Sequence, residues 1–170
     1  MPPPFPSTFP FCDCNRTNAI TPFSMGYTPV VSTSSLGLMY SWTIVYKTNP
    51  ANGICASSTS VSKIEIYAGS ACKQSLLKTF VNNRSVPFDW DARFGVLRVT
   101  GLNVAPGAAA TEPGVVRYAY VGHFGILLSS SGACSTLREF CHDVDYCQYA
   151  LFDESHKCCP TGVVGGGAAP

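Results

Sequence analysis

The sequence predicts a mainly β fold, a disulfide-stapled β-sandwich with one short helix near residues 136–142. Three observations predict it. Short runs of β-branched and aromatic residues alternate with polar ones and are broken by Gly, Pro, Asn and Ser. Nine cysteines in 170 residues exceed ordinary intracellular use and point to an oxidising compartment, where cross-links persist. With 46% of residues hydrophobic and only 12% charged, the chain has enough apolar material for one domain with its own core.

Residues 1–10 contain five prolines, a composition that favours extended polyproline II and predicts the end of a stiff linker. The folded body is expected over residues 11–160. Within it, Leu38–Lys47, Val61–Gly69, Ser75–Val81, Phe94–Gly101 and Val115–Gly122 read as strands. In the second of these, Ile64 and Ile66 alternate with Lys63 and Glu65, which gives one buried and one wet face. Trp42, interior to the first, is expected in the core. The run Ser135–Cys141 carries Thr136 as a helix N-cap with Glu139 three residues on, so a capping box starts a helix of about two turns that turns Leu137 and Phe140 inward. Gln148–Asp153 reads as a final strand, and residues 161–170 as a flexible Gly/Ala tail.

The function classes narrow by exclusion. Net charge is +1 and no basic run exists, so the electrostatic footprint for nucleic acid is missing. No apolar stretch approaches the roughly 18 residues of a membrane span. Two N-glycosylation sequons, Asn15-Arg16-Thr17 and Asn83-Arg84-Ser85, agree with export. Met1 is followed by a proline tract rather than a signal peptide, so the expectation is a domain cut from a longer secreted precursor.

The densest stretch, Cys141–Pro160, places four cysteines, two histidines and four carboxylates in twenty residues. A zinc site needs close Cys or His pairs that converge on a tetrahedron, and neither Cys12-x-Cys14 nor His156-x-Cys158-Cys159 offers the C-x2-C spacing. His142 and His156 read as loop residues without a special role. A Cys-His nucleophile needs an unpaired, low-pKa thiol, and no G-x-S-x-G, H-E-x-x-H, P-loop or G-x-G-x-x-G motif is present. No catalytic residue, cofactor or metal is therefore expected. Asp89, Trp90 and Asp91 form one further arrangement, two carboxylates beside an indole, that suits a sugar ring or a turn between strands, with the turn favoured.

Disulfides account for the remaining pattern. Cys12, Cys14, Cys55, Cys72, Cys134, Cys141, Cys147, Cys158 and Cys159 are all candidates, and the odd number leaves one thiol unpaired. Cys158 and Cys159 are adjacent and are expected to take separate partners; the pairing itself is open on spacing alone.

Five blocks then carry a resemblance: Phe9-Pro10-Phe11-Cys12-Asp13-Cys14, Ser60–Lys73, Phe94–Val104, Cys134–Cys141 and Cys147–Pro160. In order and spacing they resemble the pherophorin domain of green-algal extracellular-matrix glycoproteins, from Phe9 to Pro160. The resemblance implies a secreted structural module of matrix or cell wall, joined to a hydroxyproline-rich rod and glycosylated, with matrix polysaccharides and other matrix glycoproteins as partners and no catalytic residues. Some relatives of that kind act as extracellular signals in wounding or sexual induction, which is the alternative reading; a secreted hydrolase or inhibitor comes third. Cysteines that the family pattern places near Tyr40-Ser41-Trp42, Ser57-Ser58-Thr59 and Arg117-Tyr118 are missing here, which leaves Cys55 or Cys72 as the expected unpaired thiol.

Overall fold

A computed structural model of the chain describes residues 8–17, 21–47, 53–107 and 118–166. Eleven strands are described: β1 Phe23–Met25, β2 Val30–Thr33, β3 Gly37–Lys47, β4 Val61–Tyr67, β5 Leu76–Val81, β6 Arg84–Val86, β7 Asp89–Asp91, β8 Val96–Val99, β9 Tyr118–Ser129, β10 Tyr146–Asp153 and β11 Thr161–Gly165. They form two antiparallel sheets. One runs β1-β3-β9-β5-β6, with β2 also paired to β3; the other runs β11-β10-β4-β8-β7.

The period-two alternation becomes the packing. Tyr40, Trp42 and Ile44 of β3 and Phe124, Ile126 and Leu128 of β9 face Ile64 and Ile66 of β4, Leu97 and Val99 of β8, and Tyr149 and Leu151 of β10 in one buried cluster. Trp42 is fully buried, as expected. Each large buried aromatic also needs a partner for its polar tip. The indole N–H of Trp42 donates to the Gly165 carbonyl at 2.9 Å, and the Met25 N–H donates to the Tyr149 hydroxyl at 3.0 Å. Both bonds cross from one sheet to the other and fix how the sheets sit on each other.

The helix forms where the capping box predicts it. The Glu139 N–H donates to the Thr136 hydroxyl, and the Glu139 carboxylate accepts from the N–H groups of Thr136 and Ser135. It is shorter than expected: α1 spans Leu137–Phe140, one turn, because His142 and Asp143 adopt positive φ and turn the chain away. Leu137 and Phe140 are buried.

Three boundaries are corrected. Phe9 and Pro10 are buried, so the ordered body starts before residue 11. The strand expected to end at Gly122 continues to Ser129. Gly122 is no turn: it follows an extra residue, Val121, in the β3/β9 register, and a Cβ there would press on the Asn82 side chain at 2.8 Å. Residues 115–117 of that expected strand lie outside the described residues. Finally, β10 is not the last strand. Thr161–Gly165 pairs with it as β11 and buries Val164, so a strand stands where the tail was expected to begin, and residues 167–170 lie outside the described residues.

Candidate functional site

The outer face of the β11-β10-β4-β8-β7 sheet is where the sequence's cysteines and aromatics meet. Residues 8–17 cross it as a strap. Phe9 is buried against Val96, Ala150, Phe152 and Cys159, a second and smaller apolar cluster on the far side of the sheet from the main core. Phe11 stacks on Phe94 with ring centroids 4.2 Å apart, and both Phe9 and Phe11 pack on Tyr67.

Arg16 gathers the strap. Its guanidinium donates to the carbonyls of Phe9 at 3.2 Å, Thr8 at 3.3 Å, and Pro10 and Cys12 at 2.8 Å. Five fixed N–H donors on one plane make Arg the side chain suited to such a hub.

Two disulfides then lock the strap and its neighbours to one loop near the C-terminal end. Cys14 bridges Cys159, and Cys55, on the turn Ile54–Ser57, bridges Cys158. The adjacent cysteines take separate partners, as their spacing predicts. Main-chain bonds repeat the connection: the Asn15 N–H donates to the Lys157 carbonyl and the Cys159 N–H to the Asn15 carbonyl, each at 2.8 Å. The Asp153 carboxylate shapes the loop by accepting from the Cys158 N–H, the Ser58 hydroxyl and the Ser155 hydroxyl. Two further bridges, Cys72–Cys134 and Cys141–Cys147, tie the helix region to the body.

The expected free thiol is corrected. Cys55 and Cys72 are both bridged, and the free cysteine is Cys12, exposed on the strap. Cys55 and Cys72 lie buried beside buried partners, whereas Cys12 is an exposed residue of the strap; its sulfur is 3.8 Å from that of Cys14, whose partner is Cys159. Partial burial raises the Cys12 thiol above the usual range, and the Glu65 carboxylate adds to this against the opposing Lys63, Arg16 and Arg98. A raised thiol is a poor nucleophile at neutral pH.

Those charges form a network on the sheet. Glu65, 2% exposed, takes ion pairs from Lys63 at 3.1 Å and Arg98 at 3.0 Å, and Arg98 continues to Asp91 at 3.0 Å. Lys63 also lies 3.6 Å over the Phe152 ring. A buried carboxylate held between two cations is a satisfied one. Asp91 further accepts the N–H groups of Arg93 and Phe94, and these bonds with Arg98 hold its carboxyl below the usual range against a raising contribution from desolvation.

The structure does not bring Asp89, Trp90 and Asp91 together on one face. Alternation along β7 turns Trp90 inward, edge-on to Phe140 at 6.0 Å and against the main core, while its two carboxylate neighbours point the other way. The Trp90 N–H is itself buried without a partner among the described residues. His142 packs on Tyr67 at 4.4 Å and His156 meets the Ser62 hydroxyl at 3.1 Å, so both histidines serve the strap-covered face and its loop. Among the described residues no three His, Cys, Asp or Glu side chains converge as a metal ion would require, and no helix is long and apolar enough to cross a membrane.

The two sequons are both exposed. Asn15 lies on the strap, its amide oxygen accepting from the Thr17 N–H at 3.1 Å. Asn83 lies at the tip of the β5–β6 hairpin, where Asn82 and Asn83 have φ of 50° and 64°. Asn-Asn suits this two-residue turn, since Asn tolerates positive φ better than other side-chain-bearing residues.

A polar recess, which the sequence did not reveal, opens beside the Cys55 turn. It holds about 430 Å³ and is lined by Tyr46, Ser57, Ser58, Thr59, Ser60 and Asn103 among others. The Glu154 carboxylate accepts from Thr59 and Ser60 along its side and is held below the usual carboxylate range by those bonds, although desolvation opposes them. The run of hydroxyl residues Ser57–Ser60 is the one sequence signal for it.

A protein-family model described as Pherophorin matches residues 9–160 of the chain. No curated protein and no solved structure matches it.

Proposed function

The chain belongs to the pherophorin family, and from that premise we propose that it is a rigid, glycosylated building block of an extracellular matrix that holds matrix polysaccharides and other matrix glycoproteins. The family is one of structural extracellular-matrix glycoproteins. The single observation that carries the finer reading is the clasp: strap, Cys55 turn and C-terminal loop are joined by Cys14–Cys159 and Cys55–Cys158. Bridges across 145 and 103 residues restrict the unfolded chain strongly and suit a part that must persist outside the cell.

Adhesion draws support from the recess at Tyr46, where hydroxyls, an amide and one aromatic ring offer the mixture that a polyhydroxylated ligand uses. Occupied Asn15 and Asn83 and attachment to a hydroxyproline-rich rod belong to the same reading, supported by the exposure of both asparagines and by the proline-rich residues 1–10.

The test is retention of the oxidised domain on immobilised matrix polysaccharide. Retention that falls at least severalfold in Tyr46→Ala and Asn103→Ala variants supports the reading. No retention, together with saturable nanomolar binding to intact cells, would instead support a diffusible signal.

A further inference from the structure

We propose that the sugar joined to Asn83 packs back onto the Phe80 ring, in a hollow on the outer face of the β1-β3-β9-β5-β6 sheet. This rests on the matrix reading for secretion and for an occupied Asn83, and on no other part of it.

The hairpin geometry makes the case. Phe80 of β5 and Ser85 of β6 are direct cross-strand partners, so they share a face of the sheet. Val81 is buried in the core and Thr79 is buried beside it, which leaves Phe80 on the outer side. Ser85 is the hydroxyl residue of the sequon, and Asn83 is the second residue of the turn between them. Aromatic ring, acceptor asparagine and sequon hydroxyl thus sit on one hairpin tip.

Asn82 is used structurally and Asn83 is not. The Asn82 amide oxygen accepts the His123 N–H at 2.9 Å, and the Asn82 N–H donates to the His123 carbonyl at 3.0 Å, pinning the turn to β9. The Asn83 amide has no hydrogen-bond partner among the described residues and stands exposed. Beside it is a hollow of about 160 Å³ lined by Asn83, Phe80, Met39, Ser41, His123 and Gly125. Gly125 borders the hollow: a Cβ there would crowd the Tyr40 carbonyl oxygen at 3.2 Å and lie 3.7 Å from the Phe80 Cβ, taking up space beside the ring. The ring is half-buried, an apolar platform with a polar rim, which suits the C–H face of a pyranose bordered by its hydroxyls.

The covalent step is ordinary N-glycosylation. The Asn83 amide nitrogen loses one proton and bonds the anomeric carbon of an N-acetylglucosamine delivered on a lipid pyrophosphate, which leaves with the bonding electron pair. The first sugar then starts at the rim of the hollow.

The experiment is a double-mutant cycle on protein secreted from a glycosylating host. Ser85→Ala removes the sequon while keeping Asn83 in its turn, and Phe80→Ala removes the platform. The same four proteins made without glycosylation subtract any direct Phe80–Ser85 contact. Mass spectrometry is expected to find Asn83 occupied. Loss of its glycan is expected to lower the folding equilibrium constant on the order of twofold to tenfold with Phe80 present, the range for an aromatic contact beyond burial, and to change it negligibly in the Phe80→Ala background. An unmodified Asn83, or an equal effect of the glycan in both backgrounds, overturns the proposal. An unmodified Asn83 also removes that glycan from the matrix reading, whereas four intact bridges and retention on polysaccharide leave its rigid, adhesive part standing in either case, so the two fail separately.

Discussion

One sheet of the sandwich wears a strap on its outer face, and the other, among the described residues, has no such cover. On the β11-β10-β4-β8-β7 sheet, Phe9 and Phe11 cover Tyr67, Phe94 and Phe152, and Cys14–Cys159 fastens the cover. On the other sheet Val30 and Tyr120 are 73% and 80% exposed, and a hollow remains around Gly125. The covered face contains the buried ion-pair network and the free thiol, while the other carries the Asn83 hairpin. Cross-linking by the two longest bridges is therefore concentrated where sequence-distant segments meet.

The largest expected effect comes from the bridge that fastens the strap. Replacing Cys14 and Cys159 together by Ala is expected to cost about 4 kcal/mol, against about 2 kcal/mol for the Cys141/Cys147 pair, because with Cys55–Cys158 intact the strap bridge still closes a loop of roughly 40 residues, whereas Cys141 and Cys147 are 6 apart. Thermal unfolding checks this, and equal losses would contradict the strap's special place.

Arg16→Ala comes next. Four carbonyls lose a charged donor on a half-buried strap, so stability should fall by about 1–3 kcal/mol and Cys12 should alkylate faster. An unchanged alkylation rate would show that the guanidinium does not hold the strap.

The covered face should also be acid-sensitive. Burial holds the His142 imidazole below its usual value against the raising influence of Asp143 and a backbone hydrogen bond. The unfolded chain therefore binds the proton first. The stabilisation is full above about pH 6.5, the unfolded value, and is lost as pH falls toward the lower folded value. Denaturant titrations at pH 7.5 and 5.5 should show the loss in wild type and a smaller one in His142→Phe. The smallest effect is that of Cys12→Ser, which should stay within about 0.5 kcal/mol of wild type while removing the free thiol.

Much of this was legible in the sequence. Period-two alternation found β3, β4, β5 and β8, and the Thr136/Glu139 pair found α1, because both signals are local. The cysteine count announced staples and one leftover thiol, and adjacency gave Cys158 and Cys159 different partners. The identity of the leftover was not legible. Cys55 and Cys72 pair with residues 103 and 62 positions away, and only the folded sandwich brings those together. The mid-strand Gly122 read as a stop, since sequence does not show the neighbouring Asn82 that makes glycine necessary there. Asp89-Trp90-Asp91 read as a turn ahead of a sugar contact, because a three-residue edge strand gives too little pattern to show that it is a strand or which of its faces is inward.

The clasp is the centre of this account, and a disulfide map of the native, non-reduced protein tests it most directly. Proteolysis and mass spectrometry should recover Cys14–Cys159, Cys55–Cys158, Cys72–Cys134 and Cys141–Cys147, with Cys12 alone labelled by a thiol reagent. A map with Cys12 in a bridge and Cys14, Cys55 or Cys159 free would contradict it.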